Sequence, residues 1–418
     1  GFASLIHAST RRAGSAPLLA SAHPAPAACS PVTSSYNRHF LATRLASPLF
    51  AIIEVVVKSK VLKFGGSSLG SPDRIRTVAA IVLAAARREP VVLVVSAFQG
   101  VTNQLLDCAR LAARGTAHTA TSEQAFTKLA ARHREVCLDL LGRRNSSEVR
   151  ARVDAMLDEL HDVLQGIRLL GYCPDRALDL VASFGERLSS EIVAAFLART
   201  HPAVAADSRA FVVTDDRFTQ AAVQFDRTNP ATRKALAKIA GTTGRRRTIP
   251  VVTGFIGSTP DGQTTTIGRN GSDYSAAIIG AAIDASVIEI WTDVDGVLSA
   301  DPRTVPAAFV QPQISYEEAM ELSYFGAKVL HSATIAPAVA RAIPILIKNT
   351  LNPEAPGTTI AEGPSPGLQL AKGITSIDGL TLLTLRGLSM VGVPGIAERL
   401  FRALAAGKVN VILISQAS

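Results

Sequence analysis

From residue 60 onward, short apolar runs alternate with amphipathic stretches, the pattern of an α/β chain with a largely parallel sheet. The first unit runs through residues 61–64, a turn at Gly65-Gly66-Ser67-Ser68, and a helix with Ser71 as N-cap and Pro72 at its first position. Ile75, Val78, Ala79, Val82, Leu83 and Ala86 recur at i, i+3, i+4, i+7, i+8 and i+11, one face of that helix. A buried strand is predicted over 91–95, leading into a polar loop over 96–103 and a second helix. Further strands are predicted over 211–213, 250–253, 287–292 and 343–347.

Residues 116–173 are charged, helix-patterned and free of strand runs, so they read as a helical insertion lying over the sheet. Gly363, Pro364, Pro366 and Gly367 mark 361–371 as a linker. Beyond it, strands over 380–385 and 410–414 flank a helix over 395–406. That is the opening of a small domain which stops at Ser418, and the apolar surface it leaves is expected to need a partner.

Composition narrows the class. A chain of 418 residues, 47% apolar, suits about two to three domains. The apolar stretch 48–57 is interrupted by Glu54, so no membrane helix is predicted. Cys29, Cys108, Cys137 and Cys173 stand far apart without metal-ligand spacing and read as reduced, mostly buried thiols.

The formal charge of +9 is unevenly spread. Residues 1–53 carry four arginines and no acid, which leaves 39 basic and 34 acidic side chains in the remainder. That balance suits anionic substrates, and a basic tract interleaved with aromatics, as nucleic-acid binding would need, is absent. The first segment, rich in Ala, Ser, Pro, Arg and Thr, has the composition of an organelle transit peptide, the alternative being a disordered tail. An opening Gly1 in place of Met suggests a start that lies further upstream.

Three segments carry chemistry. Lys63-Phe64-Gly65-Gly66-Ser67-Ser68 puts a lysine at a strand end and two glycines in a turn that feeds a helix, an arrangement suited to phosphate, although a plain tight turn reads the same way. Gly268-Arg269-Asn270-Gly271-Ser272-Asp273-Tyr274 opens a helix over 274–283. There Arg269 can grip a carboxylate bidentately, and Ser272 and Asp273 sit where an N-cap belongs. Trp291-Thr292-Asp293-Val294-Asp295-Gly296 ends a strand, where open α/β sheets bind ligands, with Arg303 just beyond. The acids Asp293 and Asp295 suit a nucleotide edge or a turn better than a metal site.

Together with Phe325-Gly326-Ala327-Lys328-Val329-Leu330-His331, these segments resemble the signature set of aspartate kinases in the amino acid kinase family, over most of residues 58–418 and in family order. The resemblance is nearest to the kinase half of bifunctional aspartate kinase–homoserine dehydrogenases, through 268–277, 289–297, 317–330 and 347–358. Residues 411–418 resemble the start of their ACT-type regulatory region, and a homoserine dehydrogenase domain beyond Ser418 becomes an expectation.

The resemblance implies a three-layer α/β/α sandwich with a largely parallel central sheet, plus a truncated α+β ACT-type domain. Its divisions are a transit segment over 1–53, a catalytic domain over 58–360, a linker over 361–371 and the partial ACT domain over 372–418. It implies transfer of the γ-phosphoryl group of ATP to the side-chain carboxylate of L-aspartate, giving 4-phospho-L-aspartate. That is the first step toward lysine, threonine, methionine and isoleucine. Magnesium is expected to ride on the nucleotide phosphates without protein ligands of its own. Also implied are threonine as effector, a homo-oligomer and a chloroplast stromal location.

Residue by residue, the resemblance implies that Lys63 contacts the transferring phosphates and that Asp273 holds it in place. Phe64, Gly65, Gly66 and Ser67 line the phosphate turn, and Thr292, Asp293, Arg303, Lys328 and Val329 serve the nucleotide. Thr102, Glu186, Arg269 and Ser272 bind aspartate, and Gln416 contacts the effector. Glu186 would meet the substrate ammonium, with a pair to Arg187 or a neighbouring helix as its structural alternative. Leu298 and Ser332 depart from the family's usual tyrosine and proline. A sibling enzyme acting on glutamate and a catalytically dead amino-acid sensor are the two competing functions.

Overall fold

The computed structural model describes residues 58–241, 247–268, 270–324, 332–363, 371–377, 379–385 and 394–415. All of them fall within one unit, Val56–Ser418, and the transit-like segment over 1–53 lies outside them.

Strands covered on both faces are mostly apolar, and the centre of the sheet combines the unbroken run 91–95 with runs interrupted by Lys63 and Glu289. β1 (Lys60–Phe64) and β2 (Val91–Val95) are joined by α1 (Pro72–Ala86), whose N-terminus Ser71 caps by accepting from the Arg74 N–H at 3.4 Å. After β2 come α2 (Val101–Ala112), α3 (Thr119–Asn145), α4 (Ser147–Leu170) and α5 (Asp175–Ala198). The chain then forms β3 (Ala203–Ala206), α6 (Phe225–Ala240), β4 (Ile249–Thr253) and the small hairpin of β5 (Ile256–Ser258) with β6 (Thr264–Thr266). α7 (Gly271–Ala282), β7 (Ile288–Thr292), β8 (Gln313–Ser315), α8 (Tyr316–Tyr324), α9 (Ser332–Val339), β9 (Ile345–Asn349), β10 (Thr358–Ala361) and α10 (Ile396–Ala406) complete the order.

Eight strands form one sheet in the order β3-β4-β2-β1-β7-β9-β10-β8, and β9–β10 is its antiparallel pairing. Because side chains alternate along a strand, each central strand serves two cores. Leu62, Phe64, Leu93 and Val95 enter the core beneath α1, α2 and α5, while Val61, Val92 and Val94 enter the one that includes α7 and α9. Three layers result, as the sequence implied.

The predicted insertion is helical, but α3 and α4 pack mainly on α2 and α5 and so add a layer outside those helices rather than covering the sheet directly. The strand expected over 211–213 is instead a loop: Phe211 and Val212 are buried, and Val213 makes a single bridge to Ser258. One edge strand is β3, whose Ala-Val-Ala-Ala sequence carries little β-branched signal. The strands expected over 380–385 and 410–414 are not formed among the described residues, where Leu382 is 90% and Leu413 79% exposed. α10 forms between them as expected, with none of its residues buried.

Candidate active site

Strand alternation decides where Lys63 points. It shares a face with Val61, toward α7, and its Nζ lies 2.5 Å from Asp273 Oδ1, with side chains 9% and 13% exposed. Two charges so nearly removed from water hold each other tightly, since separating them would leave each poorly solvated. Asp273 does not cap its helix as expected. α7 starts at Gly271 behind Asn270, which is left-handed (φ 55°) and makes no side-chain capping bond. Ser272 and Asp273 therefore occupy the first turn, where the helix dipole is positive.

After β1 the chain turns through Gly65 and Gly66. The Gly65 N–H donates to Trp291 O at 3.3 Å, anchoring the turn to β7, and the Ser68 hydroxyl lies 2.7 Å from Thr350 Oγ1. A Cβ on Gly66 would stand 3.1 Å from Ala97 O, so the turn and the loop after β2 approach backbone to backbone.

Glu186 projects from α5 and is 2% exposed. Its Oε1 accepts the Ala97 N–H at 3.1 Å, while Oε2 is buried with no hydrogen-bond partner. Burial pushes its carboxyl up to about 8, with the Ala97 N–H pulling the other way. The structural alternative for Glu186 does not hold, because Arg187 pairs with Glu159 at 2.7 Å and lies over the Phe184 ring.

Lys63, Gly65, Gly66, Ser67, Thr102, Glu186, Ser272 and Asp273 all border one cleft of about 940 Å³. It lies at the carboxyl ends of β1, β2 and β4, where open α/β sheets bind ligands. One wall offers a cation, a helix N-terminus and a glycine turn, which suit phosphate; the other offers a buried carboxylate with a vacant oxygen, which suits an ammonium group.

Other expected residues stand apart from this cleft. Thr292 and Asp293 end β7, with the Thr292 hydroxyl 3.1 Å from Asp293 Oδ1, and Arg303 lies in an exposed loop paired with Asp301 at 2.6 Å. The Phe64 side chain is buried and stacked on Trp291, with ring centroids 5.5 Å apart. Asp295 accepts from Asn349 and Asn352. Arg269, Lys328, Val329 and Gln416 lie outside the described residues.

Sequence reasoning missed Asp179, Gln220, Phe255 and Thr266, which also border the cleft. Asp179 carried a signal, an acid two helical turns before Glu186 in a mostly apolar stretch. Phe255 did not, since its left-handed backbone (φ 66°) comes from the tight turn between β4 and β5.

The model of the amino acid kinase family matches residues 58–349, and that of an ACT domain matches residues 383–418. The chloroplastic bifunctional aspartokinase/homoserine dehydrogenase 1 of Arabidopsis thaliana is 38% identical over 86% of this chain, and the chain spans 39% of that relative's length. The crystal structure of E. coli aspartokinase III with aspartate and ADP superposes with a TM-score of 0.71 at 29% identity, covering 86% of this chain and 77% of that one. The same enzyme with lysine and aspartate gives a TM-score of 0.70 at 30% identity and the same coverage.

Proposed function

The chain belongs to the amino acid kinase family, and on that premise we propose that it is an aspartate kinase, transferring the γ-phosphoryl group of ATP to the side-chain carboxylate of L-aspartate. One observation carries the reading. The buried Lys63–Asp273 pair shares a cleft with Glu186, whose free oxygen can receive an ammonium group. A cation for phosphate and an anion for an amino group together call for an amino acid as phosphoryl acceptor.

The nucleophile is a carboxylate, ionised at neutral pH because an unperturbed aspartate titrates near ~3.9, so no general base is needed. The barrier lies in bringing two anions together, which fixed positive charge and positioning overcome. Lys63 supplies that charge with Asp273 fixing its position, and the first turn of α7 and the Gly65–Gly66 turn add N–H groups. Glu186 anchors the substrate ammonium, with Thr102 and Ser272 beside it in the cleft. Arg269 is assigned to the remaining carboxylate, and Thr292, Asp293, Arg303, Lys328 and Val329 to the nucleotide.

Magnesium fits as an ion carried by the nucleotide. No three His, Cys, Asp or Glu side chains converge among the described residues, while Asp293 offers a hard oxygen donor at the end of β7. Bound with the nucleotide, such an ion would supply positive charge to offset that of the phosphates.

In this reading the C-terminal segment begins a regulatory domain that responds to an amino acid end product. Threonine is the proposed effector and Gln416 its proposed contact; the E. coli aspartokinase III structure holds lysine together with aspartate. A chloroplast location and a homo-oligomer belong to the same reading, the former supported by the chloroplastic relative. ADP release measured with aspartate, glutamate or no acid tests the proposal. Turnover with aspartate is expected; turnover confined to glutamate supports the sibling enzyme, and ATP binding with no turnover supports the sensor.

A further inference from the structure

One buried carboxylate at the cleft has no part in the reaction described above. Asp179 is 1% exposed and stands two turns before Glu186 on α5. Its Oδ2 accepts the N–H groups of Thr219 at 2.8 Å and Thr266 at 2.9 Å, and its Oδ1 accepts the Thr266 hydroxyl at 2.7 Å.

These bonds join three separate elements: α5, the hairpin strand β6, and the loop that carries Thr219. The loop is already gathered at its base, where Asp215 Oδ1 accepts the Ala222 N–H at 2.8 Å. Its tip is another matter. Thr219 is left-handed at φ 70°, a conformation that a β-branched residue adopts only when its surroundings enforce it. Two contacts hold the tip, the Thr219 N–H bond to Asp179 and the Ala221 N–H bond to Thr266 O at 2.9 Å, and the residues so held, Thr219 and Gln220, form part of the cleft wall.

We propose that Asp179 is a positioning residue for the phosphoryl acceptor: it pins the tip of the 215–222 loop to β6 and thereby shapes the acceptor side of the cleft. The inference rests on the aspartate kinase reading. Asp179 acts through geometry rather than charge. Burial raises its pKa while the Thr219 and Thr266 bonds lower it, and its three bonds can all be reproduced by a neutral carboxamide. An amide oxygen can accept both N–H groups while its NH2 donates to the Thr266 hydroxyl.

The test uses the full chain. Asp179→Ala leaves two N–H groups unmet and loosens the tip, which keeps its Ala221–Thr266 backbone bond. The aspartate KM is expected to rise about tenfold or more, with the ATP KM and kcat within about threefold. Trypsin should also cut faster after Arg217, which is 70% exposed on this loop. Asp179→Asn should keep the aspartate KM within about threefold of the parent. An unchanged aspartate KM in Asp179→Ala, or an Asp179→Asn as impaired as the alanine variant, would overturn the proposal.

If Asp179→Ala does not fold, Thr266→Val, which removes only the hydroxyl bond, should raise the aspartate KM about threefold and leave the ATP KM alone. No change there overturns it as well. A parent chain inactive on every acid would defeat the aspartate kinase reading instead, while the tryptic cut after Arg217 would still report whether Asp179 holds the loop.

Discussion

Lys63 Nζ lies 2.5 Å from Asp273 Oδ1, across the junction between the end of β1 and the first turn of α7. The two residues are 210 positions apart, and it is the parallel packing of β1 against β2 and β7, with α7 across that face, that brings them together. If this pair sets the phosphate-facing charge, Lys63→Ala should lower kcat by about 100- to 1,000-fold, the range for loss of one donor aimed at a transition state. Far-UV circular dichroism should stay native, because both side chains border the cleft rather than a packed core. Steady-state kinetics beside the spectrum checks both halves.

The raised pKa of Glu186 makes aspartate binding depend on pH. A carboxylate held near about 8 is largely protonated at neutral pH, and an ammonium group is received by the ionised form, so binding releases a proton. Apparent affinity for aspartate should therefore increase as pH rises toward 8 and level off above it. Stability follows the opposite course. With the folded pKa above the unfolded one, ionisation of Glu186 costs the fold increasingly between about 4.5 and 8, and the cost is constant beyond. Glu186→Gln should flatten both profiles while weakening aspartate binding; calorimetric titration over pH 6–9 reads the first and thermal melts read the second.

Gly185 precedes Glu186 and faces the loop after β2. A Cβ there would stand 2.7 Å from the Ala97 Cβ and 3.3 Å from Leu105 Cδ1. Gly185→Ala should cost about 1–3 kcal/mol through overpacking. It should also raise the aspartate KM more than the ATP KM, since the Ala97–Glu186 hydrogen bond spans the same contact. Chemical denaturation and paired KM measurements check the two effects.

A control lies one turn away from the chemistry. Ser71→Ala removes a single 3.4 Å capping bond at the start of α1. It should cost about 0.5–1 kcal/mol of stability and leave kcat and both KM values unchanged. A kinetic change in this variant would mean that loss of the cap reaches the cleft through the bond from Arg74 on α1 to Ser67 O at 2.6 Å.

What could be read from the sequence follows from how local its causes are. β2 was legible residue for residue because five consecutive apolar residues buried on both faces leave no other reading, and α1 because Ser71, Pro72 and the apolar face agree. β3 was not, since four residues with three alanines become an edge strand only through pairing with β4. The 380–385 and 410–414 runs have strand-like sequence but no neighbouring strand to complete them among the described residues.

The site divides in the same way. The motif around Lys63 and the Gly268–Tyr274 stretch are short-range signals, so Lys63, Ser272 and Asp273 could be named from the sequence, and the structure brings all three to the border of one cleft. Local pattern alone reads Asp273 as a cap; that it holds Lys63 came from the family resemblance, and the structure pairs the two at 2.5 Å. Asp179 is hinted at by its place two turns before Glu186 but defined by contacts to distant elements, and Phe255, set by a backbone angle, is not written in the order of residues at all.

The measurement that tests the central claim most directly is trapping of the product with hydroxylamine in the presence of ATP and magnesium. The account predicts a side-chain hydroxamate of aspartate, formed with stoichiometric ADP, absent with glutamate and lost in Lys63→Ala. A hydroxamate formed only from glutamate, or ADP release with no hydroxamate from either acid, would contradict it.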